Sequence, residues 1–158
     1  MAGGKDFSGR GDLSPGNEYF LYMKPLMNLL RVGGLLLFAT VLYGQTITVE
    51  AAQDDLDLDY AHVIKAVASK QGESWRFAVT VRHGDEGWDH YADRWVVVNA
   101  ATGEEYGRRV LAHPHVSEQP FTRSQSGIRI PARVEAVLVK AACGVHGFGG
   151  TELRLELP

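Results

Sequence analysis

Between Ser74 and His83 the chain reads SWRFAVTVRH, with Trp75, Phe77, Val79 and Val81 alternating against Arg76, Ala78, Thr80 and Arg82. A period of two places successive side chains on opposite faces, so this stretch specifies a strand with one buried face. Other short runs after residue 60 have the same character. His62–Ala68 is rich in β-branched and small apolar residues, and Arg94–Asn99 (RWVVVN) is apolar on both faces, as expected of a central strand. Tyr106–Leu111 returns after a Thr-Gly turn to complete a hairpin. Gly127–Pro131, Glu135–Cys143 and Thr151–Leu157 supply three more strands. Ala112–Ser126, with Pro114, Pro120 and many polar side chains, is the least regular stretch and reads as a loop. No heptads, repeats or long helical faces occur. About seven short strands in roughly a hundred residues predict an all-β fold, an antiparallel β-sandwich of immunoglobulin or fibronectin III type.

The N-terminal part reads differently. Lys24 and Arg31 precede an apolar run, Val32–Tyr43, followed by a more polar stretch ending Val49-Glu50-Ala51. A positive start, an apolar core and small residues at the end form the layout of a secretory signal helix. The apolar run is shorter than the roughly 20 residues that span a bilayer. Four regions are therefore expected. Residues 1–22 form a polar, Gly-rich leader, or lie upstream of the true start at Met23 or Met27. Residues 23–51 form the signal peptide, with cleavage after Ala51 or, alternatively, after Gly44. Residues 52–61 form a mobile acidic lead-in, and residues 62–158 the β domain. The expected location is periplasmic or secreted, with membrane contact only if the signal remains as an uncleaved anchor. The Arg-Gly-Asp at residues 10–12 falls in the leader and carries no adhesive meaning there.

Charge excludes one class of partner. With 16 basic and 19 acidic residues the net charge is −3, and no basic field is present to hold nucleic acid. A single cysteine, Cys143, rules out an intrachain disulfide, so the domain must be held by its core.

All six histidines lie after Ala52, and most fall in predicted loops. Gly87–Asp93 (GWDHYAD) gathers Trp88, Asp89, His90, Tyr91 and Asp93. Asp89, His90 and Asp93 offer oxygen and imidazole ligands for a metal; alternatively an aspartate caps a turn and the aromatics plug the core. His113 and His115 flank Pro114, and an extended segment puts both imidazoles on one side, half of a tetrahedral zinc or copper site. Loop histidines bonded to the backbone are the plainer alternative. His146 follows Cys143 in a Cys-x-x-His spacing. That spacing allows a blue-copper-like set, although the methionines that would supply a weak axial ligand are Met1, Met23 and Met27, all before the domain. Cys143 itself, ending an apolar strand, reads as a small hydrophobe. Glu118 and Arg123 are expected to pair or to contact an anionic group. The metal set is thus His90, His113, His115, His146 and Asp93, with copper or zinc as the ion. Trp88, Asp89, Tyr91, Glu118 and Arg123 form the ligand-binding set, for a protein or glycan partner. No nucleophile elbow or phosphate loop is present, and a His–carboxylate enzyme ranks last.

At GWDHYADRW (87–95), HPHVSEQPFTRS (113–124) and VHGFGG (145–150) the chain resembles a family of small exported bacterial proteins of unassigned function. The resemblance runs from about Val63 to Pro158. It implies export and a single domain, and brings no activity, cofactor or catalytic residue with it.

Overall fold

A computed structural model describes residues 44–158. The leader, the start of the signal segment and the expected signal helix lie outside the described residues. The described chain is all β, built from nine strands in two antiparallel sheets. They are β1 (Thr46–Glu50), β2 (His62–Gln71), β3 (Ser74–Arg82), β4 (Ala92–Asn99), β5 (Glu105–Val110), β6 (Phe121–Ile128), β7 (Ala136–Cys143), β8 (Gly147–Phe148) and β9 (Leu153–Glu156). One sheet runs β1-β2-β3-β6. The other runs β5-β4-β7, and β8 and β9 both pair with β7.

Hydrophobic burial explains the arrangement. Trp75, Phe77, Val79 and Val81 of β3 are buried on one face, as their alternation requires. They join Val63, Ala66 and Ala68 from β2, Trp95 and Val97 from β4, and Val137, Val139 and Leu155 from β7 and β9 in one core shared by both sheets. The doubly apolar β4 is central, lying between β5 and β7. Val96 on its other face is buried as well.

The chain departs from expectation in three places. Thr46–Glu50, assigned above to the polar end of the signal peptide, is a strand of the domain and pairs along its length with Lys65–Ser69. Its alternation is real: Ile47 and Val49 pack against the core while Thr46, Thr48 and Glu50 face water. The acidic segment 52–61, expected to be a mobile lead-in, makes hydrogen bonds to the domain near its end. The Leu58 carbonyl accepts from Gly84 N–H at 2.8 Å, and the Asp57 carbonyl lies 2.7 Å from His62 Nε2. The stretch that reads as a loop contains most of β6, which pairs with β3 from Phe121↔Val81 to Ile128↔Trp75. It reads as polar because it is an edge strand, anchored by Phe121 and Ile128 at its ends and largely wet between them.

The registers settle where the loops fall. His62 pairs with Arg82, Val81 with Phe121, Arg94 with Val110, and Ala92 with Cys143. The start of β2, the end of β3, the start of β4, the end of β5, the start of β6 and the end of β7 therefore share one end of the two sheets. All six histidines are gathered there.

Candidate metal centre

Among the described residues, one group of three or more potential metal ligands converges: His83, His90 and Cys143 offer one donor atom each within 4.8 Å of one another. Strand register produces this meeting. Pairing of Ala92 with Cys143 brings the end of β7 beside the start of β4, two residues after His90. A bridge between Gly87 and His90 folds the intervening loop back, so that His83, just beyond β3, faces the same point. The His83 and His90 rings meet edge to face at 4.7 Å.

Each donor is prepared differently. His83 is fully buried, and its Nδ1–H donates to Asp85 Oδ1 at 2.6 Å. Acceptors face both ring nitrogens, Asp85 at Nδ1 and the Asp59 carbonyl at Nε2, and the contact with Asp85 is the carboxylate–histidine arrangement that commonly orients a metal-ligating imidazole. His90 Nε2 is buried without a hydrogen-bond partner among the described residues. Cys143 is buried, and its sulfur accepts the His146 backbone N–H at 3.2 Å. The Asp59 carbonyl sits beside them, 3.3 Å from His83 Nε2 and 3.6 Å from Cys143 Sγ. Ligands bound at roughly 2.0–2.3 Å lie about 3.3–3.8 Å apart around one ion, so the group would close only slightly on binding.

Asp85 is the hub of this end of the molecule. It is buried, and it accepts from His83 Nδ1, from Ala92 N–H at 3.0 Å and, through Oδ2, from His115 N–H at 2.6 Å. Burial alone would push its carboxyl up; the bonds from His83, His115 and Ala92 outweigh that and hold it below the usual aspartate value.

The other residues expected at a metal site are placed elsewhere or otherwise engaged. His146 stands next to the group, with Nδ1 2.9 Å from the Asp59 carbonyl and 3.7 Å from Cys143 Sγ, and its ring packs on Tyr60 and His90. Asp93 is paired with Arg94 at 2.6 Å. His113 and His115 do lie ring to ring, 4.4 Å apart, but outside the group. His115 stacks on Phe121 at 3.8 Å inside the domain, while His113 is exposed with Nδ1 3.0 Å from the Pro114 carbonyl. Their spacing along the chain reads as half a site because an extended segment puts both rings on one side. The loop instead turns His115 inward. Glu118 and Arg123 form an ion pair at 2.8 Å. Trp88 is 70% exposed, touching Tyr91 edge to face at 6.0 Å, and Asp89 is exposed beside it. His83 was missed because it reads as the last residue of a strand. Cys143 was set aside as a core residue. His62, also at this end, is structural: Thr151 N–H donates to its Nδ1 at 2.9 Å and its Nε2–H reaches the Asp57 carbonyl.

Burial, then the nearby Arg123 and His113, keep the His115 imidazole below the ordinary histidine value, against Asp85 and Glu118, which favour protonation. The unfolded chain therefore takes up the proton first. The stability that a neutral His115 contributes is complete above pH about 6.5 and is lost as the pH falls below it. Urea midpoints measured across that range should fall toward acid. His115→Phe, which keeps the stack on Phe121 and cannot titrate, should flatten the slope.

The chain is 41% identical over 108 residues to a protein of Halomicrobium mukohataei provisionally named a lipoprotein; the match covers 68% of this chain and 52% of that protein. The chain thus spans about half the length of the curated relative it matches. No family model matches the sequence, and no solved structure matches it.

Proposed function

We propose that this chain is an exported domain that binds one transition-metal ion, copper or zinc, through His83, His90 and Cys143. The observation that carries the reading is the convergence of two imidazoles and a buried sulfur within 4.8 Å, with Asp85 orienting one imidazole from behind. Thiolate with imidazole is a donor set suited to both ions. The Asp59 carbonyl, 3.3 Å from His83 Nε2 and 3.6 Å from Cys143 Sγ, would add an oxygen donor beside the group.

The apolar run at 32–43 and the lipoprotein name of the relative support export to the periplasm or the exterior. Processing at or before Gly44 suits the domain, because a cut after Ala51 would remove β1. The strand order supports an immunoglobulin or fibronectin III-like sandwich. β2, β3 and β6 take the places of strands A, B and E, and β5, β4, β7 and β9 those of C′, C, F and G. The loops bearing His83, His90 and His146 then fall at the end where such domains carry binding residues.

Titrating the 158-residue chain with Cu²⁺ and with Zn²⁺, followed by heat release and thermal midpoint, tests the metal. One-to-one binding is expected. Cys143→Ser and His90→Ala should each abolish tight binding, while His113→Ala should leave it intact. The opposite pattern, binding that survives Cys143→Ser and fails in His113→Ala, overturns the assignment. A metal-free reading rests on a separate observation: the exposed Trp88 with Tyr91 offers an aromatic platform for a protein or glycan. It is the reading to pursue if neither ion binds.

A further inference from the structure

A second set of unfulfilled donors lies at the same end, on the edge where β5 faces β6. In β5, Gly107 pairs with Val97 and Arg109 with Trp95, both of which are core residues. Residues directly opposite each other in a ladder share a face, so Gly107 and Arg109 point between the sheets. Gly107 accordingly lies so close to β6 that a β-carbon there would sit 2.6 Å from Ile128 Cδ1. Arg109 is thus a cation on an inward face. Its Nε is buried without a hydrogen-bond partner among the described residues, and no carboxylate among them is within ion-pair distance.

Arg109 is not alone. It lines a small cavity of about 80 Å³ with His113, His115 and Arg123. His115 presents both ring nitrogens without a partner, although its side chain is only 1% exposed. One of those nitrogens carries a hydrogen even when the ring is neutral. No acidic side chain lines the cavity. Glu118 pairs with Arg123 through Nη2, and Arg123 Nη1 donates to the Thr122 carbonyl. Asp85 Oδ2, 3.9 Å from His115 Nδ1, is already engaged by backbone N–H. Buried donors that face no acceptor are costly, and proteins rarely retain them without a use.

We propose that this pocket binds a small tetrahedral oxyanion of the phosphate or sulfate class, clasped between Arg109 and Arg123 with the His115 N–H as a third donor. The Arg109 guanidinium supplies the planar, paired donors that such oxygens take, and Arg123, held by Glu118 and the Thr122 carbonyl, adds its charge beside them. The cavity is small and has room for an ion of a few heavy atoms. The site is separate from the metal group and shares only Asp85 with it.

The test uses the 158-residue chain at neutral pH, titrated with sodium phosphate and sodium sulfate against sodium chloride at matched ionic strength. The expected result is a saturable rise in thermal midpoint with one-to-one heat for the oxyanions and none for chloride. Losing a charged donor should weaken binding by about tenfold or more, so Arg109→Gln and Arg123→Gln should each do so. Arg76→Gln, on the outer face of β3, should bind as the parent does. Either of two results overturns the proposal: no saturable response beyond that of chloride, or unchanged affinity in Arg123→Gln. The second stands even if Arg109→Gln fails to fold.

Discussion

Replacing Asp85 with alanine is expected to cost about 3–5 kcal/mol of folding stability, the range for removing one partner from a buried ionic network. The carboxylate is fully enclosed and takes hydrogen bonds from His83 Nδ1, Ala92 N–H and His115 N–H. Alanine leaves all three donors facing an apolar gap. Since small domains are stable by roughly 5–15 kcal/mol, the loss would consume a large share of the total. Urea denaturation should show a lower midpoint with an unchanged slope. Asp85→Asn is the sharper variant. Its amide has one oxygen, so either Ala92 N–H or His115 N–H must meet an N–H group. Where the amide nitrogen faces His83, the imidazole must change tautomer to accept, which moves its proton to Nε2. Asparagine should therefore cost less stability than alanine yet weaken metal binding by about 10- to 100-fold, as the loss of an orienting partner does.

Trp95→Ala should destabilise the domain by a similar amount, about 3–5 kcal/mol, because it empties the largest fully buried side chain at the centre of the core. Trp95→Phe separates packing from polarity. The indole Nε1–H is buried with no acceptor among the described residues, so phenylalanine sheds an unmet donor as it gives up volume. Its cost should stay below about 1.5 kcal/mol, the level of a tolerated apolar swap. Urea midpoints of the two variants decide the matter. Equal losses would mean that packing volume does not set the role of Trp95, since phenylalanine keeps most of the volume that alanine removes while both lose the indole N–H.

These residues also show how much the amino-acid order reveals. Trp75, Phe77, Val79 and Val81 declare β3 and its buried face outright, because a period of two has one structural solution. β6 hides, because an edge strand needs few apolar residues and Thr122–Ser126 has none. β1 reads as the tail of an export segment because it directly follows the apolar run, and its own alternation spans only five residues. The metal group was half legible. His90 and the Cys143–His146 spacing stand out locally. Their meeting with His83 depends on the pairing of β4 with β7, which no spacing along the chain encodes. The His113–Pro114–His115 motif is the opposite case: its spacing is suggestive, and the direction of His115 is set by its stack on Phe121.

β1 also governs how the molecule behaves toward copies of itself. It covers the outer side of β2, occupying the backbone groups of Lys65–Ser69 along five consecutive pairings. A chain shortened to begin at Gln53 would leave that row of N–H and C=O groups bare beside a long, strongly apolar strand. Bare edges of this kind recruit further strands, so such a fragment would be prone to assemble edge to edge. The five residues Thr46–Glu50 thus act as a built-in chaperone for their neighbour, and a preparation that keeps them should remain dispersed where one that lacks them precipitates.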